Sequence, residues 1–234
     1  MDNLKHILNT LDHWDIYNSF FLMSDIDRLR KFLVRSHLFQ LSLNVPGDIV
    51  ELGVFKGIGI AQLLKLREIY TPGSDKKIIG FDLFSDTKSI TLNKQDQELN
   101  QYYKESGASM TDGISKTAID YFISQFPNHQ GTNRSPYELI EGDVSKTLPD
   151  YLEENPGFRA SFVHLDLDLA KPTYDSLACL YPRIVRGGII VLDDYASDRW
   201  TESNGVDQFL QNHKELELKA LSWAKTPSAY IVKP

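Results

Sequence analysis

Residues 48–59 read DIVELGVFKGIG, an apolar run that leads into closely spaced glycines. Residues 48–52 have the length and composition of a buried β-strand, and residues 53–59 are typical of a tight turn. Glu51 brings an acid to the end of the strand, beside glycines that let the backbone approach a nucleotide-like ligand. A purely structural turn explains the glycines equally well. The next helix is predicted from apolar residues at helical spacing: Ile60, Leu63, Leu64 and Ile69.

Strands and helices alternate along much of the remaining chain. Further strands are predicted at residues 77–82, 137–140, 161–165 and 188–192, each followed by polar residues. This alternation predicts an α/β fold with a parallel, doubly wound sheet, whose ligand crevice lies at the carboxyl ends of the strands. Two more strand-like runs, at residues 216–223 and 228–232, predict a closing hairpin.

Two segments lie outside this alternation. Residues 1–45 predict an N-terminal helical extension, with Ser24 as the N-cap of its second helix, and residues 46–234 form the α/β domain. Residues 85–113 are a polar insertion after the second strand, for which a lid over the site and a solvated loop are equally supported. Apolar residues at helical spacing predict two short helices: Leu4, Ile7, Leu8 and Leu11 in the extension, and Ile119, Phe122, Ile123 and Phe126 after the insertion.

Composition limits the classes of function. The 234 residues contain one cysteine, Cys179, which argues against a disulfide framework and a cysteine-based zinc site. The net charge of −7 and pI near 5.4 argue against nucleic-acid and anionic membrane partners. The N-terminal residues lack the apolar stretch of a signal peptide, and no run reaches the length of a membrane span. We therefore expect a cytoplasmic protein.

A first group of polar residues indicates a nucleoside site. Asp82 ends the second strand, where an acid is placed to accept hydrogen bonds from both ribose hydroxyls. Together with the glycine turn, Asp82 favours an adenosine-containing ligand. Asp143 ends the third strand, and it either reaches the adenine edge or acts as a helix N-cap.

A second group indicates a metal site. Asp166 and Asp168 follow one apolar strand, and Asp193 and Asp194 follow another, so their carboxylates converge on one edge of the sheet. Crowded carboxylates repel each other unless a cation neutralises them, and oxygen ligands select a hard ion such as Mg²⁺. Asp193 and Asp194 can share one ion only if the strand has ended before them.

Several residues near this group have a structural interpretation. Asp168 is our preferred candidate for a helix cap rather than a ligand. His164 lies inside a strand, where a packed core histidine is more common than a catalytic base. Tyr195 and Trp200 either wall a substrate pocket or pack in the interior.

From Ser24 onwards the chain resembles the macrocin O-methyltransferase family, whose members methylate sugar hydroxyls in natural-product glycosides. The resemblance rests on residues 46–57, 80–84, 142–144, 148–149 and 164–195, in which a glycine turn, Asp-x-Asp and Asp-Asp-Tyr follow in this order. It implies a class I methyltransferase, Rossmann-like fold with a seven-stranded sheet whose last strand is antiparallel.

The resemblance also implies two cofactors. S-adenosyl-L-methionine is expected to contact the following residues: Glu51, Gly53, Val54, Phe55, Gly57, Asp82, Asp143 and Asp166. Mg²⁺ is expected at Asp166, Asp193 and Asp194, and Asp166 is also the expected general base.

The resulting hypothesis is a methyltransferase that acts on a hydroxyl of a small-molecule sugar, either a nucleotide-sugar or a glycoside. A metal-dependent glycosyltransferase that uses the Asp-x-Asp motif, and a methyltransferase of a catechol-like diol, are the alternatives. A non-catalytic binding module would retain these clustered carboxylates at a cost, which argues against it. The N-terminal helices are expected to shape the acceptor pocket and to contribute to a homo-oligomer.

Overall fold

A seven-stranded mixed sheet lies at the centre of the computed structural model, which describes residues 13–84, 93–94, 96–98, 101, 115–124 and 135–234. The spatial order of the strands is β3-β2-β1-β4-β5-β7-β6. β1 to β5 are parallel, and β7 runs antiparallel to both of its neighbours. The predicted sheet, including its antiparallel last strand, is confirmed. The strands are β1 (Asp48–Leu52), β2 (Ile78–Asp82), β3 (Tyr137–Glu141), β4 (Ala160–Leu165), β5 (Ile184–Leu192), β6 (Leu218–Lys219) and β7 (Ala229–Val232).

Helices cover both faces of this sheet. They are α1 (His13–Met23), α2 (Ile26–Leu41), α3 (Ile58–Tyr70), α4 (Lys116–Ser124), α5 (Val144–Glu154), α6 (Ala170–Leu180) and α7 (Glu202–Gln211), with a 3₁₀ turn at Tyr181–Arg183. Buried side chains of α2, α3 and α4 form one hydrophobic core, and those of α5, α6 and α7 form the other. The doubly wound arrangement is therefore confirmed.

The two cores explain why the strands read as continuous apolar runs. Successive side chains of a strand point to opposite faces, so Ile49 packs in the first core and Val50 in the second. Because both faces are covered, both kinds of position are apolar. Glu51 on β1 and Ser161 and His164 on β4 are buried polar exceptions, and Glu51 points towards the face that α3 covers.

α2 begins one residue later than predicted. The side chain of Asp25, not that of Ser24, accepts hydrogen bonds from the backbone N–H groups of Asp27 and Arg28. The carboxylate of Asp25 thus satisfies the free N–H groups of the first turn, and the prediction of Ser24 as N-cap is wrong. The predicted helix at residues 4–11, Phe126 and most of the polar insertion lie outside the described residues.

Two further features differ from the predictions: the exposure of Ile69 and the length of β6. Ile69 is 68% exposed, because it follows Ile60 by about two and a half turns and so lies on the opposite side of α3. The hairpin of β6 and β7 is present, but β6 contains only Leu218 and Lys219 and Trp223 lies outside it. Within the described ranges, every helix is too short or too polar to cross a membrane.

Candidate active site

A cavity of about 920 Å³ opens at the carboxyl ends of the parallel strands. Its wall contains the residue that follows or ends each of five strands: Gly53, Asp82, Gly142, Asp166 and Asp193. This is the edge of the sheet where the sequence places a ligand crevice. The predicted site residues Phe55, Asp143 and Asp194 also line the cavity, whereas Glu51, Val54 and Gly57 do not.

The glycine turn after β1 packs tightly against the loop after β4. Gly53 has φ +91°, and a Cβ atom there would lie 1.8 Å from the carbonyl oxygen of Asp166. Only glycine therefore allows this turn to approach the aspartates. A Cβ atom on Gly59 would lie 1.6 Å from Glu51 Oε1, so the glycine at the start of α3 leaves space for the buried carboxylate.

Asp82 holds the turn in place. Its Oδ2 atom accepts hydrogen bonds from the backbone N–H groups of Val54 (2.7 Å) and Phe55 (2.9 Å), and its Oδ1 atom accepts one from Phe84 (2.6 Å). The predicted ribose acid thus has a structural role at the mouth of the cavity. Its contact with a ribose stays a prediction.

Asp143 is the N-cap of α5, where its carboxylate accepts a hydrogen bond from the Ser145 N–H at 3.0 Å. This confirms one of the two roles proposed for it. Asp143 also lines the cavity, so a contact with adenine stays a prediction for the same residue.

Backbone strain is concentrated in the cavity wall. Of the described residues other than glycine, four have positive φ: Phe55 (51°), Phe84 (49°), Asp168 (63°) and Ala196 (63°). All four line the cavity. Strained backbone of this kind persists where the surrounding structure enforces it, and it gathers at binding and catalytic sites.

The four aspartates converge as predicted, and β5 ends at Leu192, before Asp193 and Asp194. Two overlapping groups have possible ligand atoms within 4.8 Å of one another. The first contains His164, Asp166 and Asp193, and the second contains Asp166, Asp168 and Asp194. Asp166 belongs to both.

Asp168 and Asp194 form a crowded acidic pair. Burial, and then the charges of Asp166 and Asp194, raise the pKa of Asp168 well above its usual range. Burial and the charges of Asp193 and Asp166 raise the pKa of Asp194 to about 6. The two side chains also share a hydrogen bond. Among the residues that the structure describes, no lysine or arginine forms an ion pair with Asp168 or Asp194, and the oxygen donors of this pair suit a hard cation.

Asp193 is in a different environment, because it has three polar partners. Its Oδ1 lies 3.0 Å from His164 Nε2, and its Oδ2 accepts hydrogen bonds from Lys31 Nζ (2.6 Å) and Thr226 Oγ1 (2.7 Å). Burial alone would raise the pKa of Asp193, but His164 and Lys31 hold it well below its usual range. Lys31 also donates to Asp166 Oδ2 at 3.1 Å.

His164 is a buried core histidine, as predicted, and it joins the two halves of the site. Its Nδ1 lies 3.3 Å from Glu51 Oε1, so the ring connects the acid of β1 to Asp193 after β5. Burial alone would lower the pKa of His164, but its two carboxylate partners raise it. The imidazole between the two carboxylates links β4 to β1 and to the residue that follows β5.

Asp168 was predicted to cap a helix, but the N-terminus of α6 is capped by Asp96 of the polar insertion. The buried carboxylate of Asp96 accepts hydrogen bonds from the N–H groups of Ala170 (2.9 Å) and Lys171 (3.0 Å) and from the Thr201 hydroxyl (2.6 Å). The prediction for Asp168 is wrong because this more distant carboxylate already occupies the N-terminus of α6.

Three residues of the site were not predicted from the sequence: Lys31, Thr226 and Asp96. One signal for Lys31 was available, since Asp27, Lys31 and Arg35 recur every four residues and so form a charged stripe along α2. Arg35 on that stripe is only 4% exposed, which shows that the stripe faces inward. Thr226 and Asp96 lie in polar stretches that contain no comparable pattern.

The strand order, the reversed β7, the glycine turn after β1 and the acid at the end of β2 define a class I methyltransferase fold. Residues 23–222 match the family model described as Macrocin-O-methyltransferase (TylF). The chain belongs to this family.

Individual relatives agree with this assignment. Over 160 residues the chain is 26% identical to an 8-demethyl-8-(2,3-dimethoxy-alpha-L-rhamnosyl)-tetracenomycin-C 4'-O-methyltransferase from Streptomyces olivaceus, a match that covers 68% of this chain and 56% of that protein. The chain spans about half the length of the curated relatives that head this comparison.

Solved structures share the fold. The calicheamicin methyltransferase CalS11 superimposes with a TM-score of 0.75 at 22% identity, over 99% of this chain and 90% of the other. Its apo form, described as a TDP-rhamnose 3'-O-methyltransferase, gives a TM-score of 0.70 at 24% identity, over 99% and 92%.

Proposed function

We propose that the protein transfers a methyl group from S-adenosyl-L-methionine to a hydroxyl of a sugar, with Mg²⁺ as a second cofactor. One observation carries this proposal. The glycine turn held by Asp82 and the aspartates after β4 and β5 line the same cavity. A nucleoside site and an oxygen-rich cation site are therefore adjacent, as methyl transfer to a chelated hydroxyl requires.

The comparisons support a sugar as the acceptor. The family model is named for macrocin O-methyltransferase, and the relatives described above are named as methyltransferases of a rhamnosyl glycoside and of TDP-rhamnose. We propose a nucleotide-sugar or a glycoside of this kind as the substrate class.

The cofactor half of the cavity is formed by β1, β2 and β3. Bound S-adenosyl-L-methionine would supply the methyl group on a positively charged sulfur. Gly53 lets the turn pack against the Asp166 backbone, and in this proposal Asp82, which lines the cavity, accepts hydrogen bonds from the ribose hydroxyls. Asp143 lies on the adenine side in this proposal. The buried Glu51 acts through the position of α3 and His164, without lining the cavity.

The acceptor half contains the proton acceptor. Mg²⁺, when bound, would lower the pKa of the sugar hydroxyls. Asp166 lines the cavity directly after β4, and its backbone N–H donates to the carbonyl oxygen of Leu52 beside the glycine turn, so its carboxylate lies next to the cofactor half. Asp166 therefore accepts the hydroxyl proton in this proposal. Tyr195 and Trp200 line the same cavity and are placed to contact the sugar.

Calorimetry with S-adenosylhomocysteine, with and without Mg²⁺, tests the cofactors. We expect micromolar binding that persists in chelator. Transfer of a labelled methyl group to TDP-rhamnose, to a rhamnosyl glycoside and to catechol then identifies the acceptor class. Binding of UDP without binding of S-adenosylhomocysteine would favour the glycosyltransferase instead, and methylation of catechol alone would favour the diol alternative.

We also propose a homo-oligomer in which the N-terminal helices take part. Large apolar side chains on these helices are exposed in the described chain, including Leu22 (84%), Ile26 (68%) and Leu33 (56%). Such exposure is typical of a protein interface. Size-exclusion chromatography with light scattering tests this, and a monomer at all concentrations would contradict it. The cytoplasmic location stays a prediction.

A further inference from the structure

Three segments at the acceptor side of the cavity carry basic residues. The first turn of α2, the loop after β5 and the turn before β7 bring Arg28, Arg199 and Lys225 to the cavity wall. A hydrogen bond from the Lys225 ammonium to the Asp27 carboxylate joins the turn to α2. Lys31, about one helical turn after Arg28, contacts the aspartate group at 2.6 and 3.1 Å. This basic wall therefore adjoins the aspartates.

The four cations of this wall differ in whether the chain supplies a partner. Lys31 and Lys225 form ion pairs with carboxylates of the chain. Among the ion pairs of the residues that the structure describes, none includes Arg28 or Arg199, and both of these residues are exposed. Two guanidinium groups are therefore available to a ligand that enters the cavity.

Arg28 lies where a cation does not stabilise a helix. It is the third residue of α2 (Ile26–Leu41), and the N-terminus of a helix carries partial positive charge. Asp25 and Asp27 are the acids that the first turn favours, and Asp25 caps it. An anion beside Arg28 would be attracted both by the guanidinium and by the helix dipole.

The chemistry of the guanidinium group indicates which anion fits. Arginine binds a phosphate through two parallel N–H···O hydrogen bonds, which give both charge and geometric specificity. Two arginines on separate segments match the two phosphates of a diphosphate. An uncharged glycoside offers only hydroxyl and ether oxygens, which leave both positive charges unpaired. The sugar derivative that contains a diphosphate is a nucleotide-sugar.

We propose that Arg28 and Arg199 form a diphosphate site, so that the acceptor is a nucleotide-sugar whose sugar hydroxyls face the aspartate group. The inference rests on the proposed function and narrows its two acceptor classes to one. It also places the reaction in a sequence. Glycosyl transfer breaks the bond between sugar and diphosphate and releases the nucleoside diphosphate, so the methyl group is added before the sugar is attached to its final acceptor.

Calorimetric titration of the full-length chain with TDP and with thymidine tests the site directly. Saturating S-adenosylhomocysteine is present in both titrations, so that the cofactor half is occupied. The two ligands differ only in the diphosphate, and we expect TDP to bind at least about tenfold more tightly. The double substitution Arg28→Gln with Arg199→Gln should remove most of this difference.

Two further variants sharpen the titration. Asp198 lines the cavity next to Arg199, and Asp198→Asn should tighten TDP binding, because a negative charge beside the diphosphate is removed. Arg186→Gln is the matched control. Arg186 is an exposed arginine near the start of β5 that does not line the cavity, and its substitution should leave TDP affinity unchanged.

Steady-state kinetics with TDP-rhamnose and with an uncharged rhamnosyl glycoside test the effect on the reaction. We expect the double arginine variant to raise KM for TDP-rhamnose at least about tenfold and to keep kcat within about threefold, because the diphosphate is bound equally in the ground state and the transition state. Its KM for the glycoside should stay unchanged. Added salt should raise KM for TDP-rhamnose more in the wild type than in the variant.

Three outcomes would overturn the diphosphate site: equal binding of TDP and thymidine, equal TDP affinity in the wild type and the double variant, or a higher kcat/KM for the glycoside than for TDP-rhamnose. Binding of S-adenosylhomocysteine and methylation of the glycoside would then leave the proposed function intact. Failure of the proposed function is distinct, because neither S-adenosylhomocysteine binding nor methyl transfer would be seen, and the TDP titration still decides the site. Thermal unfolding of each variant separates lost binding from misfolding.

Discussion

At the scale of single residues, Asp166 connects the ligand cavity to the aspartate group. It lines the ligand cavity, and its carboxylate lies between the Lys31 ion pair and the Asp168–Asp194 pair. Its backbone N–H donates to the carbonyl oxygen of Leu52, which ties it to the end of β1 beside the glycine turn. Asp166 is therefore the residue at which the glycine turn after β1 and the aspartate group meet.

We predict that Asp166→Asn lowers the turnover number at least about a hundredfold, because the amide cannot accept the hydroxyl proton. S-adenosylhomocysteine affinity is expected to change little, since the glycine turn and Asp82 are untouched. Steady-state kinetics and calorimetry measure the two effects. Asp150→Asn, an exposed aspartate on α5, is the control. A normal turnover number in Asp166→Asn would refute its role as base.

Asp82 gives the second prediction at this scale. The carboxylate oxygens of Asp82 accept hydrogen bonds from the backbone N–H groups of Val54, Phe55 and Phe84. Asparagine has an NH₂ group, which is a donor, in place of one of these oxygens. We expect Asp82→Asn to lower the free energy of unfolding by about 1–3 kcal/mol and to weaken S-adenosylhomocysteine binding. Urea unfolding and calorimetry measure this. Unchanged values of both, equal to those of the exposed control Asp75→Asn, would contradict it.

These residues differ in how far the sequence could predict them. The four aspartates follow apolar strands, so strand position alone was enough to bring them to one edge of the sheet. Lys31 lies on a helix 135 positions before Asp166, and its contact depends on how α2 packs across the sheet. A packing direction of this kind has no local signal, and only the charged stripe on α2 indicated it.

At the scale of secondary-structure elements, the N-terminus of α6 depends on a distant segment. Leu169, its N-cap residue, offers no side-chain acceptor, and Asp96 of the polar insertion supplies one. The described part of the insertion is thereby attached to the loop that carries Asp168. The action of residues 85–113 as a lid stays a proposal.

We predict that Asp96→Ala destabilises the protein by about 1–2 kcal/mol, because three hydrogen bonds at the start of α6 lose their acceptor. Hydrogen exchange measured by mass spectrometry should show faster exchange at Ala170 and Lys171. Glu98→Ala, on an exposed residue nearby, is the control and should leave this exchange unchanged. Equal exchange in both variants would mean that Asp96 does not cap α6 in solution.

Element boundaries show which local signals were sufficient. The glycine turn, β1 and β2 were predicted closely, because glycine spacing and apolar runs act over a few residues. The N-cap of α2 was misplaced by one residue, since Ser24 and Asp25 are both good N-caps and only the geometry of the turn separates them. The predicted length of β6 was too great. The ends of this edge strand are set by its pairing with β7, and that pairing leaves no pattern in the sequence.

At the scale of the whole molecule, α2 belongs to the same core as the sheet. Val34, Leu38 and Phe39 are almost completely buried, and the ring of Phe39 packs edge-to-face on Phe162 of β4 at 5.6 Å. The described part of the N-terminal extension is therefore attached to the α/β domain by a shared hydrophobic core as well as by Lys31.

We predict that the chain unfolds in one cooperative thermal transition, with equal calorimetric and van't Hoff enthalpies. A fragment of residues 46–234 should lose this transition, because removal of α2 exposes the apolar side chains that it covers on one face of the sheet. A fragment of residues 24–234, which keeps α2, should retain it. Separate transitions for the N-terminal helices and the sheet would contradict the prediction. Differential scanning calorimetry makes the comparison.

The position of β7 has a consequence for the order in which a nascent chain matures. β7 follows β6 in sequence but lies between β5 and β6, so β6 cannot join the sheet until β7 has been synthesised and inserted. The turn before β7 carries Thr226 to Asp193 and Lys225 to Asp27 of α2. Insertion of β7 is thus also the step that holds Thr226 against Asp193. Before β7 pairs with β5, the four aspartates have their contacts with the rest of the chain but lack this one.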